Sequence, residues 1–232
     1  MGNRLSKIRA ADLILDVGSG NKPHPRANVI CDRYVEGQAE RSGPIIVDRP
    51  FVVADAHYLP FKDKAFDYVI ASHILEHMDD PALFLSELSR VASRGYIESP
   101  SEVSEKLFFW PYHKWYVMNV SNVLVIKEKN FPATFGSLFH HLYARDRLFK
   151  VFVDHNPSIF LTSYEWEGTI RYDFTAASEK TTIDLWSDGV LSALTASDRK
   201  YLRVKPLLKL FTPRWLVRAV KRLLRKPEAA PF

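Results

Sequence analysis

The feature that most constrains the fold is a set of four apolar runs of strand length in the first third of the chain. Each run ends in a small or acidic residue, and the runs lie within Leu13–Gly20, Val29–Asp32, Val52–Ala56 and Phe66–His73. Such runs are typical of parallel strands that are buried on both faces. Parallel strands bring their carboxyl ends to one edge of a sheet, where a ligand crevice forms. The sequence therefore predicts an α/β fold with one site at that edge.

Periodicity along the chain predicts the later elements. They are a helix over Pro81–Ala92, a fifth strand ending at Tyr96–Glu98, a hairpin over Trp115–Lys129, a helix over Ser137–Phe152 and a late antiparallel strand over Tyr164–Phe174. Helices are assigned from apolar residues at a spacing of three and four, and strands from alternation. The hairpin is expected to turn at Ser121 and Asn122.

The loop after the first strand is compact. A long helix usually follows the glycine-rich turn of a nucleotide-binding sheet, but here Pro23 and Pro25 come soon after Gly18–Gly20, and the next strand begins by about Val29. These prolines allow a turn or a clipped helix at most. We therefore expect a helix dipole to contribute little to ligand binding at this turn.

The segment Glu105–Trp115 is rich in aromatic residues and has no clear periodicity. Its aromatic residues are Phe108, Phe109, Trp110, Tyr112 and Trp115. At this density they predict a lid or a pocket wall, within an insert over about residues 101–165, or else a satellite core cluster. The sequence leaves both alternatives open.

Composition limits the class of protein. With 232 residues, of which 47% are hydrophobic, the chain is predicted to form one globular domain with appendages. The single cysteine, Cys31, excludes an internal disulfide and a zinc–thiolate cluster, and an inert buried thiol in a reducing cytoplasm is expected. There is no apolar run long enough to predict export or a membrane span. Met1–Ser6 matches the minimal myristoylation pattern at Gly2, with a frayed terminus as the alternative.

Positive charge is concentrated near the end of the sequence. The net charge is +5, yet Arg203–Lys226 holds nine basic residues and no acidic one, so the rest of the chain is mildly acidic. From Arg214 onward, basic and apolar residues separate onto two faces of a helix. Such a helix either lies in an anionic membrane interface or docks on the domain with a solvated basic rim. RNA binding is less favoured, because little aromatic–basic interleaving is present.

Acidic residues at the strand ends predict the kind of ligand. The glycines of Gly18–Gly20 allow the backbone to approach it closely. The carboxylate of Asp32 can accept two hydrogen bonds from a ribose diol, and that of Asp55 can accept one from the exocyclic amine of adenine. These features together indicate a nucleotide-binding α/β sheet.

Over the first hundred residues these motifs resemble those of class I S-adenosylmethionine-dependent methyltransferases. The matching stretches are Leu13–Gly20, Asp32, Ala54–Ala56 with Leu59–Phe61, and Phe66–His77. The resemblance implies an α/β fold with a Rossmann-like, doubly wound, mostly parallel seven-stranded sheet and an antiparallel late strand. It also implies S-adenosylmethionine as the cofactor.

The resemblance implies roles for individual residues as well. Asp16, Gly18, Ser19 and Gly20 would contact the methionine part of the cofactor, Asp32 the ribose hydroxyls, Asp55 with the backbone of Ala56 the adenine, and Ser72 and His73 the region of the sulfonium. The missing first helix leaves the roles of Asn21 and Lys22 open.

A rival interpretation concerns the stretch from His73 to His77. It matches the His-x-x-Glu-His pattern of inverted zinc peptidases, in which both histidines lie on a helix. Here the first histidine directly follows a predicted strand, so the sequence disfavours a peptidase. We predict no metal site, and we expect Glu76 and His77 to orient the loop and the start of the next helix.

Histidines are the candidates for removing a proton from an acceptor, since their ordinary pKa lies near neutral pH. His73 faces the predicted crevice and His113 lies in the aromatic segment, so these two are the predicted catalytic residues. Nucleobase methylation is disfavoured, because the fourth strand is followed neither by an Asn/Asp-Pro-Pro-aromatic motif nor by a cysteine nucleophile. A nucleic acid is therefore an unlikely partner.

The sequence thus predicts an enzyme that methylates a hydroxyl of a small molecule, a sugar or a lipid-linked glycan. The alternative is a catalytically inactive binding or scaffold protein of the same fold. The predicted methyltransferase domain covers residues 1–176, and a C-terminal extension with the basic helix covers 177–232. A cytoplasmic location is expected, with peripheral attachment to the inner face of a membrane if the basic helix binds lipid.

Overall fold

The structure is a computed structural model, and it describes residues 5–35, 43–129 and 136–175. The basic helix predicted near the C-terminus and the myristoylation pattern at Gly2 lie outside these residues. The chain divides into two compact units, one of residues 1–141 with 157–178 and one of residues 142–156 with 179–232. The site described below lies entirely in the first unit.

The main sheet of the first unit is mostly parallel. Its strands are β1 (Ile14–Val17), β2 (Val29–Asp32), β3 (Phe51–Val53), β4 (Tyr68–Ser72), β5 (Arg94–Pro100) and β8 (Leu161–Glu167). Their order is β3-β2-β1-β4-β5-β8, and only β8 runs antiparallel to its neighbour. The predicted Rossmann-like α/β fold with an antiparallel late strand is confirmed, and six strands of the sheet fall within the described residues.

Helix α1 (Pro81–Val91) covers one face of this sheet. Asp80 caps it by accepting a hydrogen bond from the backbone N–H of Leu83, and Pro81 occupies the first turn, where its missing N–H costs nothing. Phe84 and Leu88 are fully buried, as expected for the apolar side of an amphipathic helix. The predicted helix over Pro81–Ala92 is therefore confirmed to within one residue.

The other face of the sheet carries a smaller core cluster. Ile14, Ile30, Tyr68, Ile70 and Tyr96 are buried there, and Leu5, Ile8 and Phe51 pack against them. The segment that supplies Leu5 and Ile8 is tied to β8, because Glu165 accepts hydrogen bonds from the backbone N–H groups of Ser6 (2.9 Å) and Lys7 (2.7 Å).

Cys31 lies inside β2 and is 1% exposed. Burial, reinforced by the nearby charge of Asp32, raises the pKa of its thiol to about 12. The thiol is therefore protonated and inert at neutral pH, as the sequence predicted.

A second, three-stranded sheet contains β6 (Trp115–Val120), β7 (Val123–Glu128) and β9 (Tyr172–Phe174). The predicted hairpin is confirmed, since β6 and β7 pair antiparallel around Ser121 and Asn122. Both turn residues have positive φ (50° and 62°), as a two-residue type I′ turn requires.

Three predictions of local structure are confirmed only in part. The helix predicted over Ser137–Phe152 is two helices, α3 (Gly136–Arg145) and α4 (Arg147–His155), because Asp146 caps the start of α4. The single late strand predicted over Tyr164–Phe174 is divided between β8 and β9, with Gly168 at φ +82° between them. The aromatic segment, expected to be irregular, begins within helix α2 (Glu102–Phe108), and α5 (Pro157–Phe160) precedes β8.

Candidate cofactor site and active site

The glycine-rich turn closes tightly onto the neighbouring strands. The backbone N–H groups of Gly18 and Ser19 donate to the carbonyl of Cys31 at 2.7 Å and 3.2 Å, which joins the end of β1 to β2. Gly18 and Gly20 have φ values of +71° and +54°, in the region that only glycine adopts at little cost. A Cβ at Gly18 would lie 2.7 Å from the Cδ1 atom of Ile74. The turn therefore has no space for a side chain at Gly18.

Within the described segment 5–35, no helix separates the turn from β2, as the sequence predicted. Two side chains fix this stretch instead. Asn28 Oδ1 accepts the backbone N–H of Ile14 at 2.8 Å, and Arg49 donates from one guanidinium nitrogen to the carbonyls of His24 (2.9 Å) and Ala27 (2.7 Å). Neither Asn28 nor Arg49 was a predicted site residue, because their partners are distant in sequence or lie in irregular chain.

The structure brings the predicted acids of β1 and β2 to the same turn. Asp16 is 3% exposed and accepts the backbone N–H of His24 at 2.7 Å. Its burial raises the pKa of this carboxyl to about 7, despite the lowering effects of that hydrogen bond and of Arg49. The carboxylate of Asp32 accepts the N–H groups of Gly20 (3.0 Å) and Tyr34 (2.9 Å), one on each oxygen.

One buried polar atom of the turn has no protein partner among the described residues: the hydroxyl of Ser19. Buried hydroxyls are normally hydrogen-bonded, so an unsatisfied one marks a place for a ligand atom. Together with two buried carboxylates and a turn free of side chains, it fits a ligand that carries hydroxyl and ammonium groups. The residues present therefore fit S-adenosylmethionine.

Asp55 follows β3, next to the buried Ala56, and its two carboxylate oxygens both have protein partners. Oδ1 accepts the backbone N–H of His57 at 2.9 Å and lies 2.7 Å from its ring Nδ1, and Oδ2 pairs with Arg33 at 3.1 Å. Burial alone would raise the pKa of Asp55, but the hydrogen bonds from His57 and the charge of Arg33 lower it. An adenine amine would therefore share this carboxylate with His57 and Arg33.

His73 follows Ser72 at the carboxyl end of β4 and adopts a positive φ of 56°. Its side chain is half exposed, with Nδ1 3.5 Å from Glu76 Oε1 and Nε2 3.7 Å from Glu98 Oε1. Burial would lower the pKa of His73, but the close carboxylate of Glu76 and the charge of Glu98 outweigh it and raise the pKa. Two carboxylates thus flank this ring.

His113, the other predicted catalytic residue, is 8% exposed and lies in a different environment. Its Nδ1 bonds Glu105 Oε1, and Lys129 donates to the other carboxylate oxygen at 2.6 Å. The ring lies edge-on to His77 at a centroid distance of 4.5 Å. His73 and His113 both lie near Glu76, whose carboxyl pKa they help to lower against the opposing effect of burial.

The aromatic segment packs around these histidines. Trp110 stacks on His113 at a centroid distance of 5.2 Å, and Tyr112 stacks on His77 at 5.7 Å. Phe108 is buried and stacks on Trp110 at 5.3 Å. The sequence left open whether these aromatic residues form a lid or pocket wall or a core cluster. The structure shows a packed cluster next to His77 and His113, and the lid stays a prediction.

The helix that a zinc peptidase would require is not formed. Leu75–His77 is a single 3₁₀ turn, and the positive φ of His73 ends the strand just before it. Glu76, Glu98 and Glu105 were not predicted as site residues. A signal existed for Glu98, which ends the fifth strand predicted from the sequence and pairs with Ser72 of β4 in the structure. No local pattern connects Glu105 to His113.

Comparisons with known proteins find a partial likeness to methyltransferases. Residues 15–97 match the model of a family described as a methyltransferase domain. Ajmaline N-methyltransferase of Rauvolfia serpentina is 44% identical over 45 residues, which are 19% of this chain and 16% of that enzyme. The chain thus spans well under half the length of this curated relative.

Solved structures match in part. The YcgJ protein of Bacillus subtilis is 20% identical, over 41% of this chain and 47% of that one, with a TM-score of 0.33. Phosphoethanolamine N-methyltransferase 2 of Haemonchus contortus, solved in complex with S-adenosyl-L-methionine, is 18% identical over 43% of this chain and 26% of its own, with a TM-score of 0.34. Matches this partial assign no activity.

In the described residues no helix is both long and apolar enough to cross a membrane.

Proposed function

We propose that the chain is an S-adenosylmethionine-dependent methyltransferase that methylates a hydroxyl group of a small molecule, a sugar or a lipid-linked glycan. The match of residues 15–97 to the model of a methyltransferase domain supports this proposal. S-adenosylmethionine is the cofactor of this domain, and it supplies an electrophilic methyl group on a sulfonium. The protein's task is then to hold the acceptor in line and to receive its proton.

The position of His73 is the observation that carries this proposal. It stands at the carboxyl end of β4, and the following residue, Ile74, touches the glycine-rich turn at Gly18. Its imidazole is half exposed, so an acceptor can reach it, and Glu76 and Glu98 hold it from two sides. We assign His73 the role of receiving the hydroxyl proton and orienting the acceptor.

We propose the following contacts with the cofactor. Asp32 would hold the ribose hydroxyls, and Asp55 with the backbone of Ala56 would hold the adenine. The methionine part would lie along the turn and the end of β4, against Asp16, Gly18, Ser19, Gly20, Ser72 and His73. The unpartnered hydroxyl of Ser19 and the buried carboxylate of Asp16 support this orientation.

A cavity of about 620 Å³ supports a hydroxylated acceptor. It lies beyond the carboxyl end of β5 and beside the start of β8. Glu98 comes two residues before that end of β5. Its polar lining consists of Ser101, Asn119, Ser158, Thr162 and Ser163. Short hydroxyl and amide side chains of this kind hydrogen-bond a polyol and fix its orientation.

A second candidate is methylation of an amine. The curated relative is named as an N-methyltransferase, and a flanking pair of carboxylates like Glu76 and Glu98 suits a cationic acceptor as well. An acceptor screen separates the two activities, because each product carries its methyl group on a different atom.

Calorimetry with S-adenosylhomocysteine tests the cofactor site. Asp32→Ala should weaken binding about 10- to 100-fold, since it removes a carboxylate that makes charge-assisted hydrogen bonds. Asp63→Ala is the matched control, because that side chain is 77% exposed and pairs only at the surface with Arg90. No binding by the native chain, or equal binding by both variants, would contradict the site.

Transfer of a labelled methyl group to a panel of sugars, phenols and amines tests the activity. His73→Ala should reduce turnover about 10²- to 10⁴-fold and weaken S-adenosylhomocysteine binding much less than Asp32→Ala does. His141→Ala, an exposed histidine on α3, should change neither. Binding of cofactor without transfer to any acceptor would favour the inactive scaffold protein.

We further propose that the basic stretch Arg203–Lys226 attaches the protein to anionic membranes, since each basic residue near such a surface contributes about 1 kcal/mol. Flotation with anionic liposomes should be lost on removal of residues 203–232. Equal flotation of the full and shortened chains would contradict the attachment.

A further inference from the structure

Three side chains beside the proposed proton acceptor, His73, converge on one point. Glu76, His77 and His113 each offer one ligand atom, and these atoms all lie within 4.8 Å of one another. Two of the residues are buried and the third is partly buried. Two imidazole nitrogens and one carboxylate oxygen at this spacing are the donor set of many transition-metal sites.

Hydrogen bonds to backbone carbonyls hold the three residues together, independently of any contact among the three side chains. The N–H of Lys114 donates to the carbonyl of Glu76 at 2.7 Å, and the indole N–H of Trp115 donates to the carbonyl of Met78 at 2.7 Å. These bonds fasten the entry to β6 along the 3₁₀ turn. His113 is therefore brought beside Glu76 and His77 whether or not the three side chains attract one another.

Glu76 is a buried carboxylate with one oxygen to spare. Its Oε2 accepts the hydroxyl of Ser99 at 2.9 Å, and no hydrogen bond reaches Oε1 among the described residues. His73 Nδ1 lies 3.5 Å from Oε1. A fully buried carboxylate is costly without close compensation, and a bound cation provides it.

His113 is oriented as metal-binding histidines usually are. Its Nδ1 is bonded to Glu105, which leaves Nε2 as the free ligand atom. Glu105 is in turn held by Lys129, which donates to its second oxygen at 2.6 Å and to the carbonyl of Trp110 at 2.7 Å. A carboxylate behind a ligating imidazole fixes its ring and increases its basicity. The charge of Lys129 neutralises that of Glu105, so Glu105 does not add a buried negative charge to that of Glu76.

We propose that Glu76, His77 and His113 bind one divalent transition-metal ion, with Zn²⁺ as the best fit. Imidazole nitrogens favour zinc and its neighbours in the first transition row over Mg²⁺ and Ca²⁺, which prefer sites made of oxygen alone. Three protein ligands leave a fourth tetrahedral position for water or another donor. This site departs from the prediction of no metal made from the sequence, and it does not use the two-histidine pair of the peptidase pattern.

Metal binding can be measured without methyl transfer, so a binding experiment on the full chain tests the proposal separately from the proposed function. Metal is removed with a chelator, and Zn²⁺ is returned by equilibrium dialysis and counted by mass spectrometry. We expect one Zn²⁺ per chain, and visible absorption of a Co²⁺-substituted protein typical of tetrahedral coordination. Failure of the native chain to retain stoichiometric Zn²⁺ or Co²⁺ at micromolar concentrations would overturn the site.

Variants locate the bound ion. His77→Ala and Glu76→Gln should each abolish stoichiometric binding, and Glu105→Gln should weaken it about 10- to 100-fold through the orientation of His113. His141→Ala is the control and should bind as the native chain does. Circular dichroism checks the fold, and if Glu76→Gln does not fold, the partly buried His77 decides the question. Unchanged binding in His77→Ala would overturn the proposed ligands.

Discussion

The glycine-rich turn offers the most direct test of the structure, through the substitution Gly18→Ala. An L-residue held at φ +71° costs about 1–2 kcal/mol, of which about 0.4–1 kcal/mol is returned by the stiffer unfolded chain. The new Cβ would also lie 2.7 Å from Ile74 Cδ1 and 3.2 Å from Ile74 Cβ. Forcing a methyl group into packed space costs about 1–3 kcal/mol more. We expect a total loss of about 2–4 kcal/mol in the free energy of unfolding.

Gly168→Ala separates the two contributions. Gly168 has a similar φ of +82°, but a Cβ there would have nothing within 4 Å. Only the backbone cost remains, which comes to about 1 kcal/mol or less. The difference between the two variants, measured by urea unfolding, is therefore the cost of the contact with Ile74. Of these two variants, only Gly18→Ala should also weaken the binding of S-adenosylhomocysteine. A displaced Ile74 would shift its neighbour His73, which is one of the proposed cofactor contacts.

A third variant identifies the contact. Ile74→Val removes the Cδ1 atom that is nearest to the new methyl group, so the double variant with Gly18→Ala should regain part of the lost stability. Equal destabilisation by Gly18→Ala and Gly168→Ala would refute the close packing of the turn against the end of β4. Absence of any recovery in the double variant would place the clash elsewhere.

Two further predictions concern buried charges. Burial raises the pKa of Asp16 from 3.8 to about 7 in the folded chain, so its contribution to stability is fully present below pH 3.8 and is lost as the pH rises through about 7. Across that range, the free energy of unfolding of Asp16→Asn in urea should gain up to about 4 kcal/mol over that of the native chain. A parallel pH dependence of the two proteins would contradict the burial of this carboxyl. Arg94 and Asp12 form a buried ion pair at 2.7 Å, with side chains 8% and 5% exposed. Arg94→Met should lower the free energy of unfolding by about 3–5 kcal/mol because it leaves the carboxylate of Asp12 without its cation, and the double variant with Asp12→Leu should recover much of that loss. An unchanged free energy of unfolding in Arg94→Met would show that the pair is solvated.

Much of the candidate cofactor site could be predicted from the sequence, because its signals are local. The turn at Gly18, the acid that ends β2 and the acid after β3 each follow an apolar run directly. The parallel order of the strands then brings them to one edge. What the sequence did not show is how far each group is already engaged. Asp55 is held by His57 and Arg33, whose contributions depend on side-chain placement.

The errors in secondary structure have local causes too. The predicted long helix ends at Asp146, a residue whose side chain caps the next helix. The predicted late strand is interrupted at Gly168, whose positive φ lets the chain leave β8. In both cases the apolar periodicity continues across the point where the helix or strand ends. Periodicity alone therefore does not show where one element ends and the next begins.

The sequence by itself determined the strands, the glycine-rich turn and the absence of a helix after it, since strand burial and the restricted φ of proline act on neighbouring residues. Only the tertiary structure decided which histidines meet which carboxylates. His113 lies beside Glu76 because two hydrogen bonds fasten the start of β6 to the 3₁₀ turn and the residue after it. The backbone N–H of Lys114 donates to the carbonyl of Glu76, and the indole N–H of Trp115 donates to the carbonyl of Met78. No local pattern encodes such a contact, because its free energy comes from the packing of the whole first unit.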